Sequence, residues 1–234
     1  MDNKFYNSGL GNKLIDYNNY PLSIKKYLAE ENRILQEYLI DNEILVEVGC
    51  MVARNLQLAL NLNKKYVGID IAENYIDAAN NFILENKLMY LCEVHNIDAE
   101  TLLELNNYSK MLTTGKPLFY FPFNSFGNMK NHNNVLRNFK HFENANFLIF
   151  SYLTTENATA EREAYYVNCN YSNLKKIQSE QGITFKADEG LCTMAFHLGY
   201  MYKIANEENL KISHKIFSDI GIVYLLSNYI LSSE

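Results

Sequence analysis

The sequence predicts an α/β fold in which a mostly parallel sheet is covered by helices on both faces. Strand-like and helix-like patterns alternate five times along residues 41–152, and such alternation is typical of parallel strands joined by helical crossovers. The strand patterns are short and largely apolar, as in strands that are buried on both faces. Near the C-terminus, two further strand patterns flank residues 218–221, which indicates an antiparallel hairpin.

Residues 1–40 are expected to form an N-terminal arm followed by a helix. The first half of this region is rich in Tyr, Asn and Gly, a composition that predicts irregular structure. Pro21 opens a helix that runs to residue 39, because apolar side chains recur after it near a period of 3.6 residues. We expect Tyr6, Tyr17 and Tyr20 of the arm to fold over a functional site and to exclude water from it.

The core of the domain is expected at residues 41–152. Five short apolar runs predict strands at 44–48, 65–71, 88–95, 117–121 and 146–152. Between them, apolar residues at helical spacing predict helices at 52–62, 73–86, 99–112 and 129–142. Residues 122–128 contain Pro, Gly and Asn, which predict a loop.

Residues 153–234 break this alternation. The predicted elements are a helix at 157–180, strands at 183–187 and 191–197, a helix at 199–207, and final strands at 210–217 and 221–227. We interpret residues 181–198 as a β-segment that is added over the end of the sheet and shapes a ligand pocket. No Pro- or Ser-rich linker separates these parts, so residues 1–234 are expected to form a single domain.

Composition narrows the classes of partner. The net charge is −6 and no cluster of Lys and Arg is longer than a pair, so nucleic acid is not an expected partner. No apolar run approaches the ~20 residues that span a bilayer, so no membrane partner is expected. Four cysteines without a Cys-x-x-Cys pair predict free thiols and a cytoplasmic location. The histidines lack metal-ligand spacing, so no metal site is predicted. The oligomeric state stays open.

Two neighbouring strands of the predicted sheet carry acidic residues at their ends. Glu47 lies near the end of the first strand and is followed by Gly49, and Asp70 lies at the end of the second. The carboxyl ends of parallel strands meet at one edge of a sheet, where open α/β sheets bind ligands. Two carboxylates at this edge suit a ligand with hydroxyls and amines. This pattern points to a nucleoside cofactor.

With these residues the chain resembles the class I S-adenosylmethionine-dependent methyltransferases over residues 40–152 and, more loosely, over the terminal hairpin. The first motif of that family, acid-x-Gly-x-Gly-x-Gly, is matched by Glu47 and Gly49, while Met51 and Ala53 replace its second and third glycines. The resemblance implies a Rossmann-like three-layer sandwich, a seven-stranded sheet with an antiparallel last strand, and S-adenosyl-L-methionine as cofactor. Met51 is expected to narrow the space beside the amino-acid tail of the cofactor.

The resemblance also implies roles for residues at the ends of three strands. Asp70 would bind both ribose hydroxyls, and Ile71 would contact the adenine face. Asp98 would accept from the adenine amino group, and the backbone N–H of Ala99 would reach a ring nitrogen. Glu47 would hold the ammonium group of the methionine part. The alternatives are an ordinary helix N-cap for Asp98 and a carboxylate that caps the following helix for Glu47.

Further roles are implied beside the sulfonium centre. Arg54 would neutralise the methionine carboxylate, or it is a solvated residue at a helix start. Pro122 lies in the loop after the fourth strand, where backbone carbonyls hold the methionine ammonium in the family. Asn124 of this loop is the candidate catalytic residue and would bind an amine acceptor, or it stabilises a turn. Tyr165, Tyr166 and Tyr171 lie on the predicted helix after strand five, where the family builds acceptor pockets, either as walls for cationic amines or as plain packing.

The sequence therefore predicts an enzyme that transfers a methyl group from S-adenosylmethionine to a small-molecule acceptor by in-line displacement. Two alternatives stay open. A catalytically degenerate S-adenosylmethionine-binding module is suggested by the altered glycine motif, and a protein acceptor would make the chain a protein methyltransferase. A dinucleotide-binding domain is disfavoured, because residues 49–54 read Gly-Cys-Met-Val-Ala-Arg and lack the Gly-x-Gly-x-x-Gly fingerprint. The pattern identifies neither the acceptor nor a general base.

Overall fold

The computed structural model describes residues 3–113, 115–142 and 144–228. Within these residues the strands form two sheets. In chain order the strands are β1 (Ile44–Val48), β2 (Lys65–Asp70), β3 (Cys92–Asn96), β4 (Pro117–Phe121), β5 (Asn146–Tyr152), β6 (Lys175–Gln178), β7 (Gly182–Lys186), β8 (Cys192–Phe196), β9 (Leu210–Ile216) and β10 (Gly221–Asn228).

The larger sheet has seven strands in the order β3-β2-β1-β4-β5-β10-β9. Strands β1 to β5 pair in parallel, whereas β10 pairs antiparallel with both β5 and β9. In this register Glu47 of β1 lies opposite Gly68 of β2 and Tyr120 of β4. The predicted α/β fold, with a mostly parallel seven-stranded sheet and an antiparallel C-terminal hairpin, is confirmed. The strand order reverses direction between β1 and β4, which is where such sheets open a ligand crevice.

Helices cover both faces of this sheet. In chain order they are α1 (Asn3–Asn7), α2 (Leu22–Leu39), α3 (Leu56–Asn61), α4 (Glu73–Glu85), α5 (Leu105–Tyr108), α6 (His132–Phe139), α7 (Glu156–Asn168) and α8 (Leu198–Glu207). Short 3-10 helices lie at Leu10–Leu14, Tyr17–Asn19, Ala99–Glu104, Met111–Thr113 and Phe126–Asn128. The first two belong to the N-terminal arm. The arm was predicted to be irregular, and this prediction is wrong, because the arm contains α1 and these two 3-10 helices.

The two faces of the sheet pack against separate apolar cores. Successive side chains of a strand point to opposite faces, so Leu45 joins the core formed with α2, α3, α4 and α7. Its neighbours Ile44 and Val46 join the core formed with α6 and α8. All five residues of β1 are buried, as expected for a strand with helices on both sides. This arrangement is the predicted three-layer sandwich.

The smaller sheet corrects the prediction for residues 157–180. The predicted helix ends at Asn168, and β6 follows as the first strand of an antiparallel sheet with the order β6-β7-β8. Asn170 and Asn173 adopt left-handed backbone conformations with φ of 53° and 49°, which α-helices do not contain. The β-segment predicted at 181–198 therefore begins earlier and has a third strand.

Other differences concern where elements begin. Helix α3 begins at Leu56 rather than at residue 52, because Met51 and Ala53 have positive φ. Strand β3 begins at Cys92 rather than at residue 88, because residues 88–91 form a turn. The helix predicted at 99–112 is divided into α5 and two 3-10 helices. Helix α6 is shorter than the predicted 129–142 and begins at His132.

The four cysteines, at 50, 92, 169 and 192, are free, as the sequence predicts. Among the helices that the structure describes, none is long and apolar enough to cross a bilayer.

Acidification is expected to destabilise the native state through His132. Its ring contacts those of Phe126 and Phe196, with centroid distances of 5.1 and 4.7 Å. Burial lowers the pKa of this imidazole from 6.5 to about 4. Between these two values the unfolded chain binds a proton at this residue and the native chain does not. The free energy of unfolding should therefore fall as the pH drops through this window, by roughly 3 kcal/mol from this group.

Urea unfolding measured across this pH window tests the contribution of His132. His132→Phe should lose less stability on acidification than the wild type, whereas His141→Phe, at an exposed position, should follow the wild type. The comparison isolates one imidazole because all other titrating groups are shared. Parallel loss of stability in wild type and His132→Phe would contradict the assignment.

Candidate functional site

A cleft opens at the carboxyl ends of β1, β2 and β4, where the strand order reverses. Its empty space amounts to about 1140 Å³, part of it open to solvent. The eight residues predicted to bind a cofactor all line it, namely Glu47, Gly49, Arg54, Asp70, Ile71, Asp98, Ala99 and Pro122. The structure thus brings together residues that are up to 75 positions apart in the sequence.

The turn after β1 forms the floor of the cleft. Gly49 has a φ of 83°, a conformation that glycine adopts without strain. The backbone N–H groups of Gly49 and Cys50 both donate to the carbonyl of Ile69, at 2.9 and 3.0 Å. The Ser125 hydroxyl donates to the carbonyl of Val48 at 3.1 Å, which fixes the loop after β4 against this turn. The positive φ of Gly49 therefore explains why a glycine occupies the first glycine position of the motif.

The two replaced glycines keep the backbone conformation that glycine favours. Met51 and Ala53 have φ of 50° and 60°, in the left-handed region that costs a residue with a Cβ about 1 kcal/mol. The loop therefore has the shape of the glycine-rich turn with two side chains added. Of these, Met51 lines the cleft, as predicted from its position in the motif.

Asp70 lies at the tip of β2 and is 7% exposed. One carboxylate oxygen accepts from the backbone N–H of Met51 and the other from that of Ala72, both at 2.9 Å. Burial raises the pKa of this carboxyl, and these backbone hydrogen bonds act against that rise. Each oxygen retains a free lone pair, so the group is held in place while still able to accept from a ligand.

Glu47 is fully buried in the wall of the same cleft. Its carboxylate accepts from the backbone and side-chain amides of Asn55, at 3.1 and 2.5 Å, and from the Tyr66 hydroxyl at 2.6 Å. Burial raises the pKa of Glu47, and the nearby Arg54 acts in the opposite direction. Asn55 precedes α3, so Glu47 ties the start of that helix to β1. This contact agrees with the capping alternative and leaves its ligand role a prediction.

Arg54 also lines the cleft, beside the buried acids Glu47 and Glu31. Its side chain is exposed. Among the described residues it forms neither a hydrogen bond nor an ion pair closer than 4 Å. A guanidinium with open donors is suited to bind a carboxylate in bidentate fashion.

The remaining predicted residues lie around the rim. Ile71 is half-buried and Asp98 is exposed, and both line the cleft. The Asp98 carboxylate accepts from the backbone N–H of Glu100 at 2.9 Å, as the N-cap of the 3-10 helix that begins at Ala99. Pro122 is buried at the end of β4. Asp98 thus has the capping contact of the alternative interpretation, which leaves a second oxygen open.

Asn124 does not belong to the residues that line the cleft. Its amide nitrogen donates to the Thr193 hydroxyl and to the carbonyl of Met194, both at 3.0 Å, and its oxygen accepts from the Ser151 hydroxyl at 2.6 Å. Both amide hydrogens are used in these contacts. Asn124 therefore joins the loop after β4 to β8, and its catalytic role stays a prediction.

Glu31 of α2 is a buried acid beside the site that was not identified from the sequence. One of its oxygens accepts from the backbone N–H of Phe123 at 2.9 Å and from the Tyr120 hydroxyl at 2.5 Å. The other oxygen is buried without a partner among the described residues. Burial raises the pKa of this carboxyl, and Arg54 opposes the rise. The signal in the sequence is an acid four residues after Tyr27, on the apolar face of the helix.

Aromatic residues form the far wall of the cleft. The arm contributes Tyr6, whose hydroxyl accepts from the Asn128 amide at 3.2 Å, and α7 contributes Tyr165 and Tyr166. The Tyr165 hydroxyl donates to the carbonyl of Leu14 at 2.6 Å and so holds the arm over the cleft. Of the arm tyrosines expected at the site, Tyr6 lines it, whereas the other two, at 17 and 20, do not. Tyr171, which was predicted on the same helix as Tyr165 and Tyr166, follows the end of α7 and is not among the residues that line the cleft.

No protein-family model and no curated protein matches the chain. Solved structures do. The PH0226 protein from Pyrococcus horikoshii OT3 is 13% identical, with a TM-score of 0.64 over 90% of this chain and 93% of that one. An S-adenosylmethionine-dependent methyltransferase from Clostridium acetobutylicum ATCC 824 is 12% identical, with a TM-score of 0.58 over 94% and 97%.

Magnesium protoporphyrin IX methyltransferase from Synechocystis PCC 6803, with bound S-adenosylhomocysteine, is 11% identical, with a TM-score of 0.60 over 97% of both chains. At such identities the likeness concerns the fold. The chain has the fold of the class I S-adenosylmethionine-dependent methyltransferases, so the resemblance predicted from the sequence is confirmed at that level.

Proposed function

We propose that this chain is an S-adenosylmethionine-dependent methyltransferase that acts on a small-molecule acceptor. The observation that carries the proposal is the shared cleft, in which Asp70 and Glu47 at adjacent strand tips lie with Arg54 and Asp98. The fold supports it, since this edge of the sheet is where open α/β sheets bind ligands. The cleft contains side chains whose chemistry suits the ribose hydroxyls, the ammonium, the carboxylate and the adenine of S-adenosylmethionine.

The nucleoside half fits the part of the cleft beside the tip of β2 and the 3-10 helix that begins at Ala99. The two oxygens of Asp70 keep one lone pair each beyond their backbone contacts, which suits two adjacent ribose hydroxyls. Ile71 offers an apolar surface for the adenine ring. Ala99 is the first residue of a 3-10 helix, so its N–H has no partner within that helix and suits a ring nitrogen, with Asp98 beside it for the amino group.

The amino-acid half fits the part of the cleft beside the turn after β1. Arg54 would bind the carboxylate, because its guanidinium has open donors at the cleft surface. Glu47 and Glu31 supply negative charge behind it, which favours the ammonium group. The added side chain of Met51 lines this region, and we infer that it restricts the tail to a narrower path than a glycine would allow.

When bound, S-adenosylmethionine would supply an activated sulfonium methyl group for transfer to the acceptor. The residues of this chain orient the reactants and exclude water. Tyr6, Gly11 and Leu14 of the arm close over the cleft, and the hydroxyls of Tyr165 and Tyr171 fasten the arm through the carbonyls of Leu14 and Leu10. Orientation and exclusion of water are the main contributions that a protein makes to such a displacement.

A small acceptor fits the cleft better than a protein. The opening is framed by the arm and by β8, and the chain has a net charge of −6, which disfavours nucleic acid. Among the structural neighbours, one is named for a magnesium porphyrin and another, 8% identical with a TM-score of 0.56 over 85% of this chain and 89% of that one, is a glycopeptide N-methyltransferase. We further propose a cytoplasmic location from the free thiols.

Calorimetric titration with S-adenosylmethionine and S-adenosylhomocysteine tests the proposal. We expect one site per chain with micromolar affinity, and transfer of a labelled methyl group to at least one member of a panel of small amines, phenols and carboxylic acids. Binding without transfer to any small acceptor, but with labelling of a protein, would favour a protein methyltransferase. Binding without any transfer would favour a degenerate module. Absence of binding by both nucleosides would contradict the proposal.

A further inference from the structure

Arg162 of α7 is a buried cation that has no acidic partner among the residues that the structure describes. It is 1% exposed. Its guanidinium donates to the Tyr166 hydroxyl at 3.1 Å, to the carbonyl of Ile183 at 2.9 Å, and to the carbonyl and hydroxyl of Thr193 at 2.7 and 3.2 Å. Every one of these acceptors is neutral, and no carboxylate of the described residues lies within ion-pair distance. The charge is solvated by the protein but is not neutralised.

Three aromatic rings surround this guanidinium. The distances from its central carbon to the ring centroids are 5.2 Å for Tyr152, 5.5 Å for Tyr166 and 5.1 Å for Phe185. Of the tyrosines that were expected to form walls for a cationic amine, Tyr166 is therefore already in cation–π contact with Arg162. A second cation on the cleft side of Tyr152 or Tyr166 would be repelled by Arg162 in an environment of low dielectric.

Tyr152, Tyr166 and Thr193 contact Arg162 and also line the cleft. We call these three residues the Arg162 wall. The Tyr152 hydroxyl is buried and lacks a hydrogen-bond partner among the described residues. A buried hydroxyl without a partner is unfavourable, and Tyr152 is one of the residues that line the cleft. It is therefore a donor that a ligand oxygen would satisfy.

We propose that the Arg162 wall binds the methyl acceptor through an oxyanion, a phenolate or carboxylate on an aromatic small molecule, with the Tyr152 hydroxyl as its hydrogen-bond donor. This inference rests on the proposed methyltransferase function and names its substrate class. The aromatic neighbours Tyr6 and Tyr165 provide surface for the ring of the acceptor. The positive charge of Arg162 behind the wall selects an oxyanion over an ammonium.

The other charges near Tyr152 do not reverse this preference. Burial is the main cause that raises the pKa of Tyr152, and of the charged groups near it Arg162 lowers this pKa more than Glu31 raises it. Glu31 is itself engaged by the Tyr120 hydroxyl and the backbone of Phe123, and Arg54 offsets its charge. The balance beside Tyr152 therefore favours a negative group.

An oxyanion acceptor also fits the groups that the cleft offers for proton transfer. Among the described residues, no histidine lines the cleft. An oxyanion brings its electron pair without a proton. The bond formed is between oxygen and the methyl carbon, the bond broken is between that carbon and sulfur, and the pair of the broken bond stays on sulfur. No proton is released, so no general base is needed.

The test uses the full chain saturated with S-adenosylhomocysteine, whose binding is measured first. Benzoate and 4-nitrophenolate are then titrated calorimetrically, with benzylammonium as the cationic probe of similar size. We expect at least one oxyanion to bind, and benzylammonium to bind at least about tenfold more weakly. Tyr152→Phe should weaken oxyanion binding by about tenfold or more, the typical effect of a hydrogen bond to a charged group.

The matched control is Tyr224→Phe. Tyr224 also has a buried hydroxyl without a partner in the described part of the chain, but it does not line the cleft, so oxyanion binding should be unchanged. Arg162→Met should abolish the preference for oxyanions. If that variant fails to fold, Tyr152→Phe still decides, because the Tyr152 hydroxyl has no hydrogen bond to lose within the described part of the chain.

Two outcomes overturn the inference while the proposed function stands. In the first, S-adenosylhomocysteine binds but neither oxyanion binds, or benzylammonium binds as tightly as they do. In the second, oxyanion binding is the same in Tyr152→Phe and Tyr224→Phe. Failure of S-adenosylhomocysteine to bind overturns the proposed function, and this inference with it.

Discussion

Asp70→Asn is expected to abolish measurable binding of S-adenosylmethionine and S-adenosylhomocysteine, with a loss of affinity of at least about 100-fold. The carboxylate offers two negatively charged acceptors to two ribose hydroxyls, and hydrogen bonds to a charged group contribute about 1.5–3 kcal/mol each. The amide keeps the shape of the side chain but loses its charge and one acceptor. Calorimetric titration of both nucleosides measures the effect.

The matched control is Asp77→Asn, the same chemical change at an exposed position of α4. It should bind both nucleosides as the wild type does. Asp70→Asn also leaves one of the backbone N–H groups of Met51 and Ala72 without its carboxylate acceptor, which costs about 1–3 kcal/mol of unfolding free energy. The relief of desolvation at this buried carboxyl offsets part of that cost.

Thermal unfolding of both variants separates loss of the site from loss of the fold. If Asp70→Asn is folded at the titration temperature and still binds within a few-fold of the wild type, the ribose does not lie on Asp70. The placement of the cofactor would then be wrong, although the fold would be unaffected.

The central strands could be predicted from the sequence because their signal is local. β1, β2, β4 and β5 are short apolar runs buried on both faces, and right-handed crossovers then fix their neighbours. The acids at the tips of β1 and β2 follow from the same argument, since parallel strands end at one edge. The predicted cofactor residues therefore line one cleft.

The smaller sheet could not be predicted in full, because β6 has no pattern of its own. All four of its residues, Lys175–Gln178, are exposed, and the strand exists because β7 offers a free edge to pair with. The sequence predicted that the helix continues to residue 180, because neither Asn170 nor Asn173 is a residue type that marks the end of a helix as clearly as Gly or Pro does. The positive φ of these residues is set by the path of the chain from α7 to β6.

The polar groups outside the motif are the part of the site that the sequence hides. Glu31, Tyr152 and Arg162 lie on α2, β5 and α7, and none belongs to a recognisable pattern of spacing. Their importance follows from burial without full pairing, which depends on three-dimensional packing. Asn124 is the opposite case, a residue that the sequence suggested as a ligand contact. In the fold its amide donates to β8 instead.

Gly127→Ala is expected to lower the free energy of unfolding by about 3 kcal/mol, at the upper end of the usual cost of overpacking. Gly127 lies in the 3-10 helix Phe126–Asn128 and is buried. A Cβ at this position would lie 2.0 Å from the carbonyl oxygen of Met194 and 2.6 Å from the amide nitrogen of Asn124. Backbone cannot yield as a flexible side chain can, so β8 would have to move away from the loop after β4.

The matched control is Gly199→Ala in α8, where a Cβ would meet nothing within 4 Å. That change should be neutral or should stabilise the protein by up to about 1 kcal/mol, because alanine favours helix over glycine. Urea unfolding of both variants measures the contrast. Equal stabilities of Gly127→Ala and Gly199→Ala would show that β8 and the loop are not in such close contact.

The displacement of β8 in Gly127→Ala should affect ligand binding in one half of the cleft and not in the other. Thr193 of β8 belongs to the Arg162 wall, whereas Asp70, Ile71 and Ala99 lie on the opposite side of the sheet's reversal point and do not depend on β8. At a temperature where Gly127→Ala is folded, S-adenosylhomocysteine should therefore bind within a few-fold of the wild type while oxyanion binding is lost. Equal weakening of both ligands would mean that the smaller sheet supports the cofactor half as well, and that the cleft is one cooperative unit.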